Sequence, residues 1–197
     1  SIVVGGSLNS ASAAFSTIVG GTLNTASGAC SFIGGGENNT VSTYNHNTIV
    51  GGCNNEITTP GNNSFIGGGA NNSNSGYYNI IVGGISNSNS GNYSSIVGGT
   101  FNSNSGNYSS IGGGKYNKTT ALYSLVVGGT LNTASAACTG ILGGQCNYAC
   151  EPESFIIGSN ITSTAACTTF VNNLYITGST TANAVMNLST RSTTPSP

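Results

Sequence analysis

Apolar, β-branched residues recur along this chain two positions ahead of a glycine pair, at intervals of about fifteen residues. The column reads Val3, Ile18, Ile33, Ile49, Ile66, Ile81, Ile96, Ile111, Val126, Ile141 and Ile156. One position later stand Val4, Val19, Val50, Val82, Val97, Val127, Leu142 and Ile157, with glycine at Gly34, Gly67 and Gly112. Polar residues precede both, as in Ser16-Thr17-Ile18-Val19-Gly20-Gly21-Thr22-Leu23-Asn24. A β-branched residue amid such alternation predicts a short strand. The first glycines of the pairs are spaced 15, 15, 16 and 17 residues apart, then 15 repeatedly. A period this short and regular predicts a solenoid, each repeat forming one coil stacked on the last.

Each coil has room for two short strands and two turns, and helix has no place in it. The glycine pair is expected at a corner, supplying positive φ or close backbone approach. Four residues after its first glycine an asparagine recurs: Asn9, Asn24, Asn39, Asn55, Asn72, Asn87, Asn102, Asn117, Asn132 and Asn147. Asparagine tolerates the left-handed region and caps turns through its side chain. Stacked in register, these amides also bond along the rod as a ladder. A second turn is expected near Ser27-Gly28, Ser75-Gly76, Ser90-Gly91 and Ser105-Gly106. The reading is therefore all-β: a parallel β-solenoid or β-roll of about eleven fifteen-residue rungs over residues 1–167. Residues 168–197 form a C-terminal strand segment and a Pro/Ser/Thr linker. At about 4.8 Å per rung the rod is roughly 50 Å long.

One buried aliphatic per rung is a poor core for so thin a coil. The residues beside the glycines make the opposite strand face apolar as well, and Phe32 and Phe65 flank Gly34 and Gly67, a large side chain beside a missing one. A strand apolar on both faces needs a partner surface. One face is expected to fill the coil and the other to pack against sister chains, most simply in a homotrimer.

Composition narrows the function. Only 4% of the residues are charged: three basic residues, four glutamates and no aspartate. So few positive charges fit neither nucleic acid nor an anionic membrane. The longest aliphatic runs, such as Ile80-Ile81-Val82, are far too short to span a bilayer. Abundant Gly, Ser, Asn and Thr would also suit disorder, but a disordered chain has no reason to keep a β-branched column. The start at Ser1, in phase with the repeat and without Met, reads as a mature chain or a segment of a longer one.

The rungs, with copies at Ser94–Gly106 and Ser109–Asn117, resemble the head repeats of trimeric autotransporter adhesins of the YadA type. That resemblance covers roughly residues 1–165 and implies left-handed parallel β-rolls assembled as a trimer. The doubled glycine and the asparagine depart from the adhesin pattern. Asn172-Asn173-Leu174-Tyr175-Ile176-Thr177-Gly178 and Ala184-Val185-Met186-Asn187-Leu188 resemble segments near the C-terminal ends of phage tail-fibre proteins, which implies a viral fibre. Thr193-Thr194-Pro195-Ser196-Pro197 reads as a linker.

Catalytic chemistry finds little support. A Ser-His-Asp triad is excluded by the absence of Asp, and the sole histidine, His46, stands where other rungs carry Phe15, Cys30, Tyr78, Tyr93, Tyr108 and Tyr123. Those four tyrosines are expected to stack, as a packing ladder or as a strip for sugar faces. Glu151 and Glu153 flank Pro152 in a solvated loop, and no further residue completes a glycosidase site. Cys138 and Cys167 lie two rungs apart, about 9–10 Å and beyond disulfide reach. Cys146 and Cys150 make one Cys-x-x-x-Cys without a second pair, against a zinc site. Reduced thiols are therefore expected, together with Cys30 and Cys53. Sequons such as Asn92-Tyr93-Ser94 and Asn107-Tyr108-Ser109 are what so Asn- and Ser-rich a chain produces by chance.

The expected function is structural and adhesive, with no catalytic, cofactor or metal residues. It is a phage or virus fibre shaft or head on the virion surface, with host-surface glycans as partner. The alternative is a bacterial adhesin head, or an extracellular filament subunit stacking end to end. Ice binding requires a regular Thr array, and the position after the glycine pair (Ser7, Thr22, Glu37, Cys53, Ala70, Ile85) shows none.

Overall fold

The computed structural model describes residues 1–42, 45–58 and 60–173. These build a parallel β-solenoid of about eleven coils. Each of the first ten coils contributes one two-residue strand to a first sheet and one to a second, as with Thr17–Ile18 and Thr25–Ala26. The first sheet has 12 strands and the second 10, each hydrogen-bonded to the same strand of the next coil. All pairings are parallel and in repeat register, for example Ile81 opposite Ile96 and Asn89 opposite Asn104. A third column of single bridges, from Ser7 and Thr22 to Thr130 and Gln145, lies between the two sheets in each coil.

Local sequence explains the coil. The second glycine of each pair has φ between +81° and +97°. A Cβ at Gly99 would run into the carbonyl oxygen of Gly114 in the next rung and lie 2.6 Å from Asn102 Nδ2. The first glycine is different: Gly20, Gly83, Gly98 and Gly128 have open space where a Cβ would stand. In those rungs corner geometry depends on the second glycine alone, whereas at Gly35, Gly68 and Gly143 the first glycine too has positive φ, between +156° and +159°.

Two further corner positions per coil are left-handed, and both are occupied by non-glycine residues. One column runs Leu8, Leu23, Asn38, Asn54, Asn71, Ser86, Phe101, Tyr116, Leu131 and Cys146, and the other includes Phe15, Cys30, His46, Tyr78, Tyr93, Tyr108, Tyr123, Cys138 and Cys167. This corrects the expectation for the recurrent asparagines. It is the residue before each of them that takes positive φ, while the asparagine turns its side chain inward. The Ser-Gly turn is likewise left-handed two residues after the glycine, at Cys30 and Tyr93 rather than at Gly28 and Gly91.

The two halves of a coil follow one plan. A left-handed residue is followed by a buried polar residue and, two positions on, by an inward core residue. Cys30-Ser31-Phe32-Ile33 serves the first sheet and Leu23-Asn24-Thr25-Ala26 the second. The second half supplies a core column absent from the sequence reading: Ala26, Val41, Ile57, Ala134 and Ala149, all fully buried. It faces the Ile column across the coil. In the middle rungs this column turns polar, with Asn74, Asn89, Asn104 and Thr119.

Sheet pairing continues beyond residue 167: Thr169–Val171 pairs with Phe155–Ile157 as the last strand of the first sheet. The tail resemblance over Leu174–Gly178 and Ala184–Leu188, and the Thr193–Pro197 linker, lie outside the described residues.

Candidate functional site

Among the described residues no pocket opens into the rod, so its candidate sites are its columns and faces. Ile18, Ile33, Ile49, Ile66, Ile81, Ile96, Ile111, Val126, Ile141 and Ile156 are all fully buried. Val3 departs from the expected core: it is 45% exposed, because its rung has a neighbour on one side only.

The asparagine column forms a continuous hydrogen-bonded ladder. Asn102 Nδ2 donates to Gly98 O and to Gly114 O, each at 3.0 Å, and its Oδ1 accepts from Asn117 N at 2.9 Å. The same wiring joins Asn24 to Asn39, Asn55 to Asn72 and Asn132 to Asn147. It begins at the half-buried Asn9, and Asn147 Oδ1 closes it on Ile161 N. The bonds run mainly from side chain to backbone, so each amide binds its own glycine corner to the next rung.

Tyr78, Tyr93 and Tyr108 stack with ring centroids 4.9 and 5.0 Å apart and planes within 9°. Tyr123 continues the stack at 5.4 Å with a 30° tilt. Within the ladder each ring face lies against the next ring, so solvent meets mainly ring edges. A second ladder, Phe101 on Tyr116 at 5.1 Å, occupies the other corner. The sequence reading did not find it; its signal is a bulky, unbranched residue immediately before the column asparagine.

His46 is an exposed corner residue. Glu153 occupies the same column between Cys138 and Cys167, and Cys167 Sγ donates to Glu153 Oε2 at 3.0 Å. That bond, and the negative charge behind it, raise the Cys167 thiol above its usual range. Cys30, Cys53, Cys138, Cys146, Cys150 and Cys167 are all free thiols. Among the described residues no group of His, Cys, Asp or Glu is arranged to hold a metal.

The two sheets present contrasting outer faces. Outside the first sheet lie Val19, Val50, Val82, Val97, Val127 and Leu142, all exposed. Phe32 and Phe65 lie against Gly34 and Gly67, and the Phe155 ring occupies the space a Cβ would take at Gly140. Aromatic rings thus fill hollows left by glycine and level the face. Outside the second sheet lie Ser10, Thr25, Thr40, Ser73, Ser88 and Ser103. No helix among the described residues is long and apolar enough to cross a membrane.

Stacked coils and an internal amide ladder are consistent with a structural, repetitive fibrous module. The chain matches no protein-family model and no curated protein, so its class rests on its architecture.

Proposed function

We propose that this module is a non-enzymatic segment, shaft or head, of a phage or virus fibre. It assembles as a homotrimer of left-handed coils through the outward face of its first sheet. The apolar outer face of that sheet carries the reading. A long apolar strip, broken at Gly34, Gly67 and Gly112 and bordered by the hydroxyls of Thr17, Thr48, Ser95 and Ser110, is costly in water and marks an association surface. No charged residue stands among the side chains named on it, so identical strips meet without buried charge. Three rods packed this way bury the strip and turn their polar second sheets outward. The work of the assembly is reach and display, with host contact through the uncharged Asn, Ser, Thr and Tyr surface. Glycans suit such a surface, through hydrogen bonds and through ring edges along Tyr78–Tyr123. The same geometry serves a bacterial adhesin head or a subunit of an extracellular filament. A virion or cell-surface location for the intact protein separates those readings.

The test is mass by multi-angle light scattering. The expected particle weighs three times the 19.5 kDa chain, and Val82→Lys with Val97→Lys reduces it to one chain. A single-chain mass for the unaltered protein overturns the trimer, and an open-ended polymer favours the filament.

A further inference from the structure

Four of the six charged side chains among the described residues gather at one corner, Glu151 and Glu153 standing elsewhere. Glu37 and Lys115 stand in the bridge column just before one corner, five rungs apart. Glu56 and Lys118 stand in the outward column of the second sheet just after the same corner, four rungs apart. All four are exposed. At about 4.8 Å per rung, each base lies roughly 19–24 Å from the acid in its own column, beyond the Debye length at physiological salt. Neither acid is neutralised by the base of its own column.

From this arrangement we infer that the corner is a lateral docking surface for a second copy of the chain, in antiparallel orientation. A twofold axis perpendicular to the rod, lying in the plane between two copies, reverses rung order and keeps each column opposite itself. Glu37 in the third rung meets the partner's Lys115 in the eighth when the axis passes midway between the fifth and sixth rungs. Glu56 in the fourth rung meets the partner's Lys118 in the eighth when it passes through the sixth. The two axis positions differ by half a rung, which shifts the partner by a full rung, about 4.8 Å. An axis set between them leaves each pair about 2.4 Å out of register, which long side chains absorb. One axis thus satisfies both pairs, and symmetry doubles them. A parallel arrangement in register sets like charge on like.

The ridge between the charges fits the same axis. Its far half carries Phe101 and Tyr116, stacked on each other, and Lys115 Nζ lies 5.0 Å from the Tyr116 ring centre. Its near half carries Asn38 and Asn54, whose side chains hydrogen-bond at 2.7 Å, followed by Asn71. Under the axis the aromatic half of one copy faces the amide half of the other, large side chains against small. At the axis itself the ridge carries Asn71 and Ser86, so aromatic-on-amide packing and paired charges lie together at the two ends of the contact, with a polar middle. The contact uses a different surface from the first-sheet face, so it links chains or whole fibres side by side.

The test is particle mass by light scattering at low and high salt for four samples. These are the unaltered chain, Lys115→Glu with Lys118→Glu, Glu37→Lys with Glu56→Lys, and an equimolar mixture of the two variants. The unaltered chain is expected at least to double its particle mass between about 0.5 M and about 20 mM salt, as screening of exposed pairs is lifted, with further growth where a trimer presents three corners. Each variant loses the doubling, its association constant falling at least about tenfold. The mixture regains it, because every reversed charge then faces its opposite. Carbodiimide coupling is expected to join Glu37 to Lys115 of a second chain. Absence of doubling in the unaltered chain, its persistence in either variant, or failure of the mixture each overturns the antiparallel contact. Exposed positions leave the fold intact, checked by circular dichroism.

Discussion

Removing one amide from the ladder, by Asn102→Ala, measures how much of the rod's stability lies in side chain-to-backbone bonds. Asn102 is 1% exposed, and its side chain makes three bonds. Gly114 O keeps the backbone donor Thr100 N at 2.9 Å, so its loss is small. Asn117 N loses its acceptor in a buried setting, while Gly98 O is half-buried and can turn to water. A buried polar group left unsatisfied costs about 1–3 kcal/mol, and the truncation leaves a cavity besides. The expected loss is about 2–4 kcal/mol, against less than about 0.5 for Ser88→Ala on the outward face. Urea denaturation followed by circular dichroism measures it, and hydrogen exchange at the Asn117 amide localises it. Because each rung couples mainly to its neighbours, the loss is expected as early unfolding around that rung before the ends follow. A loss below about 1 kcal/mol with the Asn117 amide still protected refutes the reasoning, since buried groups cannot go unpaired so cheaply.

Four other outcomes follow from the same geometry. Gly99→Ala places a Cβ against the neighbouring rung and is expected to cost at least about 3 kcal/mol, whereas Gly98→Ala, with open space at that point, stays within about 1 kcal/mol; equal midpoints in urea overturn the distinction. Ser86, with φ 55°, has no conformational preference for its corner, so Ser86→Gly is expected to raise stability by about 1 kcal/mol and Ser86→Val to lower it. Asn74 Oδ1 is buried without a partner, and Val41 and Ile57 fill its column in the preceding rungs. Asn74→Val gives up the long Nδ2 bonds to Phe65 O (3.4 Å) and Asn79 O (3.2 Å), of which Asn79 O keeps the Phe65 N donor. It is expected to be within about 1 kcal/mol of neutral, and a larger loss in urea stability counts against this. For Cys167 the sign runs with a raised pKa: the bond to Glu153 favours the protonated thiol, contributes below the ordinary thiol range and is lost as pH rises through the raised value. Alkylation of Cys167 near pH 9, mapped by mass spectrometry, should accelerate in Glu153→Gln; an unchanged rate removes the contact from solution.

The sheet-forming half of the coil was legible because its signal is compositional. Ile or Val stands in every rung of the first core column, and the period of the glycine pairs fixes the stacking. The second core column was not legible, since Ala26, Val41, Ile57, Asn74 and Thr119 share burial but no chemistry. Its identity appears only when the coil is closed and each occupant is seen facing the Ile column. The left-handed corners were misassigned to asparagine because asparagine is the residue type that best tolerates that region. Here its side-chain reach matters more than its φ. The positions that do turn left-handed carry Leu, Phe, Tyr, Cys, Asn, Ser, His and Glu and no Val, Ile or Thr. That exclusion of β-branched residues is the sequence trace of the corner, and it also locates both aromatic ladders.

A coil this thin resolves an apparent conflict between composition and order. Its apolar content per rung is small, but little of its inward surface is left to water or unpaired. The buried residues after the corners, Ser16, Ser124 and Thr139, return a hydroxyl to the carbonyl three residues earlier at 2.8 Å. In the middle of the rod Asn89 and Asn104 replace the aliphatic core, and their amides bind the carbonyls of Ser94 and Ser109 at 3.1 and 3.0 Å. Bonds of this kind recur along the rod, with Ser154 Oγ, in the rung after Thr139, left without a partner, so a favourable geometry is multiplied along most of the axis. The consequence is a rod held mainly by nearest-neighbour terms, which can lengthen by adding rungs without enlarging a core. Its surface chemistry is then free to vary by column: apolar outside the first sheet, hydroxylated outside the second, aromatic at the corners. That separation of stability from surface is what a fibre segment requires.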